Sequence, residues 1–377
     1  MENPAIVIDI GSGICKSGFA GDDSHRSVVP TLIAGLQEKQ IGNDALLWQR
    51  EELNIKYPIE NGVVKDWDDF ESIFDYIFVN ELRINSEEHS LLTTEAILNP
   101  RDQRERMTEM FFEKFNVPSL FIAFQGLLSL ISSGRTTGIV LDCGEGVTQV
   151  TPFFEGNIQL NAIKRSDFAG KKLTEYLQKT LNAGNELNIS NCTFEAAKLI
   201  KENLCFVSTE SSKVNDNSLL EKSYKLPDGK IINITNERHK CPELLFKPVL
   251  GDSAHYHDYP GIHELLYDSI MKCDNHLVDS MFTNILINGG STMFPGFTER
   301  INKEIKALKL ESTSGKMKVI APPERKSSVW IGGSILASLE SFQQFLLSKQ
   351  EYNEYGSSLS HRHLNILKYL VSEKLII

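Results

Sequence analysis

Three things are missing from this sequence, and each removes a class of function. There is no C-x-x-C pair: Cys15, Cys143, Cys192, Cys205, Cys241 and Cys273 are scattered. That pattern fits reduced thiols in a cytosolic protein rather than a disulfide framework or a zinc site. There is no basic excess either. A net charge of −11 argues against nucleic-acid binding, which rests on clustered Lys and Arg. Finally, no apolar run reaches membrane-spanning length. Met1-Glu2-Asn3-Pro4 leads straight into an apolar strand instead of a targeting signal. A soluble protein of the cytoplasm is expected, with no nucleic-acid partner and no membrane span.

What is present is a chain of 377 residues, long for one hydrophobic core and suited to two α/β domains. Its organising stretch is GIVLDCGEGVT, residues 138–148. Four apolar positions end in Asp142, and Gly144 and Gly146 follow. A buried strand that turns sharply with an acid at its tip fits this pattern. Glycines there let backbone N–H groups approach an anion with no Cβ in the way. One such stretch also describes an ordinary hairpin. The chain carries it twice, because AIVIDIGSG (5–13) repeats the layout with Asp9, Gly11 and Gly13. A third apolar strand, Ile285–Ile287, runs into Asn288-Gly289-Gly290-Ser291-Thr292. Two hairpins gripping a polyphosphate and a glycine turn under a base would make a nucleotide clamp. Lys16, three residues past Gly13, reads either as a solvated strand lysine or as a point charge on the phosphates.

Several long motifs are similar to actin: DIGSGICKSGFAGDD (9–23), KYPIENG (56–62), the run from Ile97 to Asp142, and APPERKSSVWIGGSILASLESFQQFLLSKQEY (321–352). The resemblance extends from about residue 4 to His361. It implies two RNase H-like domains around a cleft for ATP or ADP and Mg²⁺, each domain carrying a smaller insert. The implied division is 1–30, 58–132 and 328–377 for the first large part, with 31–57 as its insert. Residues 133–168 and 262–327 form the second, with 169–261 inserted.

The resemblance also assigns residues. Gly11, Ser12, Gly13, Ile14 and Lys16 would meet the phosphates from one side, and Gly144, Glu145, Gly146 and Val147 from the other. Gly170, Lys201, Glu202, Gly289, Gly290, Ser291, Met293, Phe294 and Lys326 would complete the nucleotide site, Lys326 beside the adenine. Asp9, Asp142 and Glu145 would hold Mg²⁺ through water, and Gln125 would orient the attacking water. On residue type alone, Gln125 reads as a satisfied amide in an apolar helix and Lys201-Glu202 as a surface pair.

Three positions depart from the family. Ile10 stands where actin has Asn, and a lost hydrogen bond to a charged group costs roughly 1.5–3 kcal/mol. Glu145 replaces Asp, shifting a carboxylate by on the order of 1 Å, which costs about a hundredfold in rate. Gln149 replaces His and so cannot accept a proton, a loss of roughly 10² to 10⁴. Nucleotide binding with slow or absent hydrolysis is therefore expected.

Assembly has its own departures. LQEKQ (36–40) is too short to reach a neighbouring subunit, and VLGDSAHYHDYP (249–260) is longer than the family's loop. His255-x-His257 with Asp258 lacks a third ligand, so no metal is expected there. Residues 363–377 extend past the family's end, with Leu364, Leu367, Val371 and Leu375 at helical steps. Leu336, Leu339 and Phe345 resemble the groove where actin-binding proteins dock. Expected partners are thus actin-like subunits and such proteins, within the cytoskeleton. A non-polymerising actin-related scaffold is the alternative. A small-molecule kinase or a chaperone of the same superfold is remote, since no sugar-facing Asp and no peptide-binding domain are found. The spacing also predicts helices over 66–82, 101–115, 171–181 and 196–204, with the charges of 101–106 on a solvated face.

Overall fold

The computed structural model describes residues 3–35, 39–47, 55–183, 192–209, 221–225, 229, 231–251, 254–309 and 316–362. The loop 211–218, most of 185–193, the centre of the 36–40 connection, Pro227-Asp228 and the stretch 363–377 lie outside them. So does the side chain of His255. The chain divides into two compact units. One comprises Met1–Val140, Thr151–Leu160 and Pro322–Ile377, the other Leu141–Val150 and Asn161–Ala321.

In the first unit β1 (Ile6–Ile10), β2 (Ile14–Phe19), β3 (Ser27–Pro30), β4 (Leu91–Glu95) and β5 (Ser119–Phe124) build a mixed sheet. Its order is Leu347–Ser348, β5, β4, β1, β2, β3, with β1, β4 and β5 mutually parallel at the centre. A parallel centre needs cover on both faces, and every residue of β1 is buried. The alternation of the strand sorts its side chains. Ile6, Ile8 and Ile10 join a core with Phe70, Phe74, Phe111 and Phe112. Val7 lies on the other face, where a Cβ on Gly333 would sit 2.8 Å from it, and its carbonyl accepts from Trp330 Nε1 at 3.0 Å.

The first helix, α1 (Trp67–Tyr76), is capped by Asp66, which accepts from Asp69 N at 3.0 Å. It continues as a π-helix over Ile77–Leu82. In the same way α2 (Arg101–Glu109) passes into a π-helix, Met110–Lys114. Both expected helices are present, but their second halves are wound wider than the α-period predicts. There the aromatic rings interlock, Phe74 with Phe111 at 4.9 Å and Phe78 with Phe115 at 5.2 Å.

The solvated face expected of α2 needs correction. Arg101 and Arg106 are exposed, but Arg104 is buried. Its Nε donates to Glu95 Oε1 at 2.7 Å, and its other nitrogens donate to the carbonyls of Ile122 (3.1 Å) and Ser360 (2.8 Å). It joins β4, β5 and the 357–361 turn.

Helix α3 (Gln125–Ser132) follows β5 without a loop, so the apolar run Ile122–Phe124 is strand and Gln125 is the first helical residue. The helix Ser328–Ser338 packs on α3 so closely that a Cβ on Gly332 would collide with the Leu128 carbonyl. Of the three residues expected at a docking groove, Leu336 and Phe345 are buried and Leu339 is partly exposed.

The short insert is tied down on the same unit. Lys39 Nζ pairs with buried Asp69 at 2.8 Å and donates to Ser72 Oγ at 3.2 Å, and Tyr76 Oη donates to Asp44 at 3.2 Å.

The second sheet contains β6 (Gly138–Cys143), β7 (Thr148–Phe154) and β8 (Ile285–Asn288). Its order is Asn157–Ile158, β7, β6, β8, Val319–Ile320, with Lys164–Ser166 also on β7. Helix α4 (Gly170–Ala183) begins at the glycine expected to open it. Helix α5 (Phe194–Leu204) is capped by Thr193, which accepts from Ala196 N. Arg300, 1% exposed, organises the rest of the second unit. It binds Glu243 through two 2.8 Å bonds and Glu304 through one of 2.6 Å, and lies over the Phe246 ring. Among the described residues no helix is long and apolar enough to cross a membrane.

Candidate functional site

Each unit carries one of the two repeated hairpins, and the backbone closes both in the same way. Gly11 N donates to Ile14 O at 3.0 Å, and Gly144 N donates to Val147 O at 3.0 Å. A Cβ at Gly11 would lie 2.6 Å from that carbonyl, so the turn requires glycine there.

In the first hairpin Asp9 is 3% exposed and sits opposite Lys16 in the β1–β2 register. Lys16 Nζ meets Asp9 Oδ2 at 2.8 Å. Thr94 Oγ1 donates to Asp9 Oδ1 at 3.1 Å and accepts from Ile10 N at 2.9 Å. Gln125 Nε2 donates to Ile10 O at 2.9 Å and to Asp9 Oδ1 at 3.3 Å. Lys16 is therefore no solvated strand lysine, and Gln125, expected to orient the attacking water, is anchored by its amide nitrogen at Asp9 and Ile10. The turn is braced from outside by Thr31 Oγ1 on Gly11 O (2.8 Å) and by Gly62 N on Ser12 Oγ (3.0 Å). Ile10 corrects an expectation. Adjacent strand residues face opposite ways, so its side chain enters the aromatic core instead of removing an amide from the phosphate side. Lys326 is exposed in the same unit. Nearby His25 contacts Ser327 and the edge of Trp330. Burial, then the charge of Lys16, lowers its pKa.

In the second hairpin Asp142 is 9% exposed. The tip is fastened to α4: Gly170 N donates to Gly144 O at 3.0 Å and Lys171 N to Glu145 O at 2.7 Å. Ser291 Oγ donates to Gly144 O at 2.7 Å. Gly289 holds a φ of +92°, and a Cβ there would strike Asp142 Oδ1 and the Cys143 carbonyl, so only glycine permits this approach. Gln149 is buried on β7, opposite Arg165 in the register.

Lys201 and Glu202 do not act as a pair. Glu202 is exposed and Lys201 is 2% exposed. Lys201 Nζ contacts Gly170 O (2.8 Å), Thr174 Oγ1 (2.7 Å) and Glu145 Oε2 (3.2 Å). Burial alone would raise the Glu145 pKa, but Lys201, Lys198 and Lys171 outweigh it and hold the carboxyl below its usual range. Met293 is exposed and Phe294 buried.

The thiols beside these acids are not nucleophiles. Burial pushes Cys15 up to about 11 and Cys143 up to about 12, so neither supplies thiolate near neutral pH. Among the described residues no group of three or more His, Cys, Asp or Glu could hold a metal directly. Asp9 in the first unit and Asp142 in the second each stand as a carboxylate at a glycine turn, and carboxylate oxygen is the donor type that a hydrated hard cation takes. Sequence reasoning missed Thr94, Thr174 and Arg104. Only for Thr94 was there a signal, the polar residues Thr93-Thr94-Glu95 that follow two leucines in one buried strand.

Two α/β units, each built on a mixed sheet and each bearing an acid-tipped glycine hairpin, define the actin and RNase H-like class of fold. The sequence profile of the actin family matches residues 1–198 and 191–365. The chain belongs to the actin family. Members of that family generally bind ATP or ADP with Mg²⁺.

Proposed function

We propose that this protein is an ATP-binding, actin-like cytoskeletal protein of the cytoplasm that hydrolyses ATP slowly or not at all and assembles differently from a conventional actin. The observation that supports this most is the duplicated hairpin, closed by the same glycine-to-carbonyl bond at 3.0 Å behind Asp9 and behind Asp142.

In this reading Gly11–Ile14 with Lys16, and Gly144–Val147, receive the phosphates. Asp9 and Asp142 hold the waters of the metal. Gly170 opens its helix near the phosphates, and Glu202, Gly289–Ser291, Met293, Phe294 and Lys326 complete the nucleotide site, with 31–57 and 169–261 as inserts. Bound Mg²⁺ would neutralise charge on the phosphates. The chain's own residues supply positioning, which is most of what phosphoryl transfer asks of a protein. Gln125, fixed through its nitrogen to Ile10 O, is the residue that would orient the attacking water. Gln149 cannot take a proton from that water, and this supports slow turnover.

Altered assembly draws support from the insert, whose Lys39 is tied to Asp69. The same tether favours the second reading, a non-polymerising scaffold subunit.

The test is purification in ATP and Mg²⁺, followed by identification of the bound nucleotide and sedimentation in polymerising salt. ATP recovered unhydrolysed with little pelleting is the expected result. Protein that comes out empty and shows no thermal shift with any adenine nucleotide refutes the proposal. Rapid conversion to ADP refutes its hydrolysis part, and robust pelleting of the pure chain eliminates the scaffold reading.

A further inference from the structure

Lys201 is the most enclosed cation of the second unit's hairpin, and its ammonium is full. An ammonium has three protons to donate, and this one has three acceptors: Gly170 O at 2.8 Å, Thr174 Oγ1 at 2.7 Å and Glu145 Oε2 at 3.2 Å. Those acceptors come from two elements, the first turn of α4 and the hairpin tip, while Lys201 itself belongs to α5. One nitrogen thus joins three pieces of the unit. To touch a ligand it would have to release one of them.

The carboxylate of Glu145 is placed to make this closure. A Cβ on Gly170 would lie 2.6 Å from Glu145 Oε2 and 2.6 Å from Ser291 Oγ, so the glycine that opens α4 is also what admits the carboxylate. The reach depends on the length of the side chain. Removing one methylene draws a carboxylate back by the projection of one C–C bond, on the order of 1 Å. From 3.2 Å that leaves hydrogen-bond range.

We infer that Glu145 is a positioning residue for Lys201 and not part of the metal's hydration cage, and that Lys201 buttresses the hairpin instead of contacting the nucleotide. The inference rests on the nucleotide-binding reading above only for its functional arm.

The experiment is a double-variant cycle with Glu145→Gln, Lys201→Met and the pair, read first as urea unfolding of the full chain. The double variant is expected to lose less than the sum of the singles, with a coupling of roughly tenfold in the unfolding constant. Glu145→Asp should lose that coupling too. The second readout is adenine-nucleotide affinity with excess Mg²⁺ and with EDTA. Glu145→Gln is expected to weaken both by the same factor, whereas a carboxylate serving the metal would lose affinity only where Mg²⁺ is present. Additive unfolding effects, a loss confined to the Mg²⁺ arm, or full coupling retained by Glu145→Asp would overturn the assignment. If the wild-type chain binds no nucleotide, the proposed function falls by itself, and the unfolding cycle still decides the pairing of Glu145 with Lys201.

Discussion

Replacing Lys16 by Met separates what holds the first hairpin together from what it does. Lys16 and Asp9 are paired at 2.8 Å with side chains 8% and 5% exposed, so deleting the cation strands a buried carboxylate. Breaking such a pair costs about 3–5 kcal/mol. Thr94 and Gln125 still donate to the other oxygen of Asp9, which places the expected loss at the lower end, about 3 kcal/mol. Adding Asp9→Asn removes the stranded charge while keeping an acceptor for Thr94, and should return most of the stability. Function should not follow. A phosphate that loses a hydrogen bond from a charged donor loses roughly 1.5–3 kcal/mol, about ten- to a hundredfold in affinity, and the double variant regains neither the cation nor the acid. Urea unfolding and nucleotide titration on the same preparations measure both. The reasoning fails if Lys16→Met costs under about 1 kcal/mol, a surface-pair value, or if the double variant recovers stability and affinity together.

The other predictions follow from single contacts. Gln149→His should raise single-turnover phosphate release by roughly 10² or more, and an unchanged rate in protein that binds ATP would remove Gln149 from the chemistry. Arg104→Met strands Glu95 and frees the Ser360 carbonyl, so it should cost about 3–5 kcal/mol and expose the 352–362 region to limited proteolysis, whereas Arg106→Met should do neither. Glu304 gives a pH dependence. Burial raises its pKa, but the hydrogen bond and charge of Arg300 outweigh burial and hold it below the usual range. Its contribution is therefore complete above the unfolded value and disappears as pH falls through the folded one. Glu304→Gln should flatten that acid limb of a urea-midpoint profile, and an unchanged limb would show that Glu304 does not contribute to it.

How much of this was legible depended on the distance over which each interaction acts. The hairpins could be read because strand, acid and glycine turn are contiguous, and their repetition at Asp9 and Asp142 was visible without a partner. The helix opening at Gly170 was local in the same sense. Arg104 was not legible. Nothing in RDQRER marks its second arginine as the one that meets Glu95 and, 256 residues away, the carbonyl of Ser360. Ile10 was misjudged although the signal was there, since a strand that presents Asp9 to one side must present the next residue to the other.

The misreading of Lys201 has the same origin and leads further. Consecutive residues on a helix point about 100° apart, so Lys201 and Glu202 were poor candidates for a pair once α5 was helical. The carboxylate that does meet Lys201 is 56 residues away, on a hairpin whose Glu145 was expected to serve the metal. By its resemblance to actin, that hairpin carries Glu145 in place of Asp, one methylene longer, and in the inference above that length is what lets the carboxylate reach α5. A substitution that looks conservative by charge is therefore not conservative by reach. If the cycle on Glu145 and Lys201 shows coupling, part of this protein's divergence lies in how the nucleotide hairpin is braced and not only in the loss of a proton acceptor at Gln149.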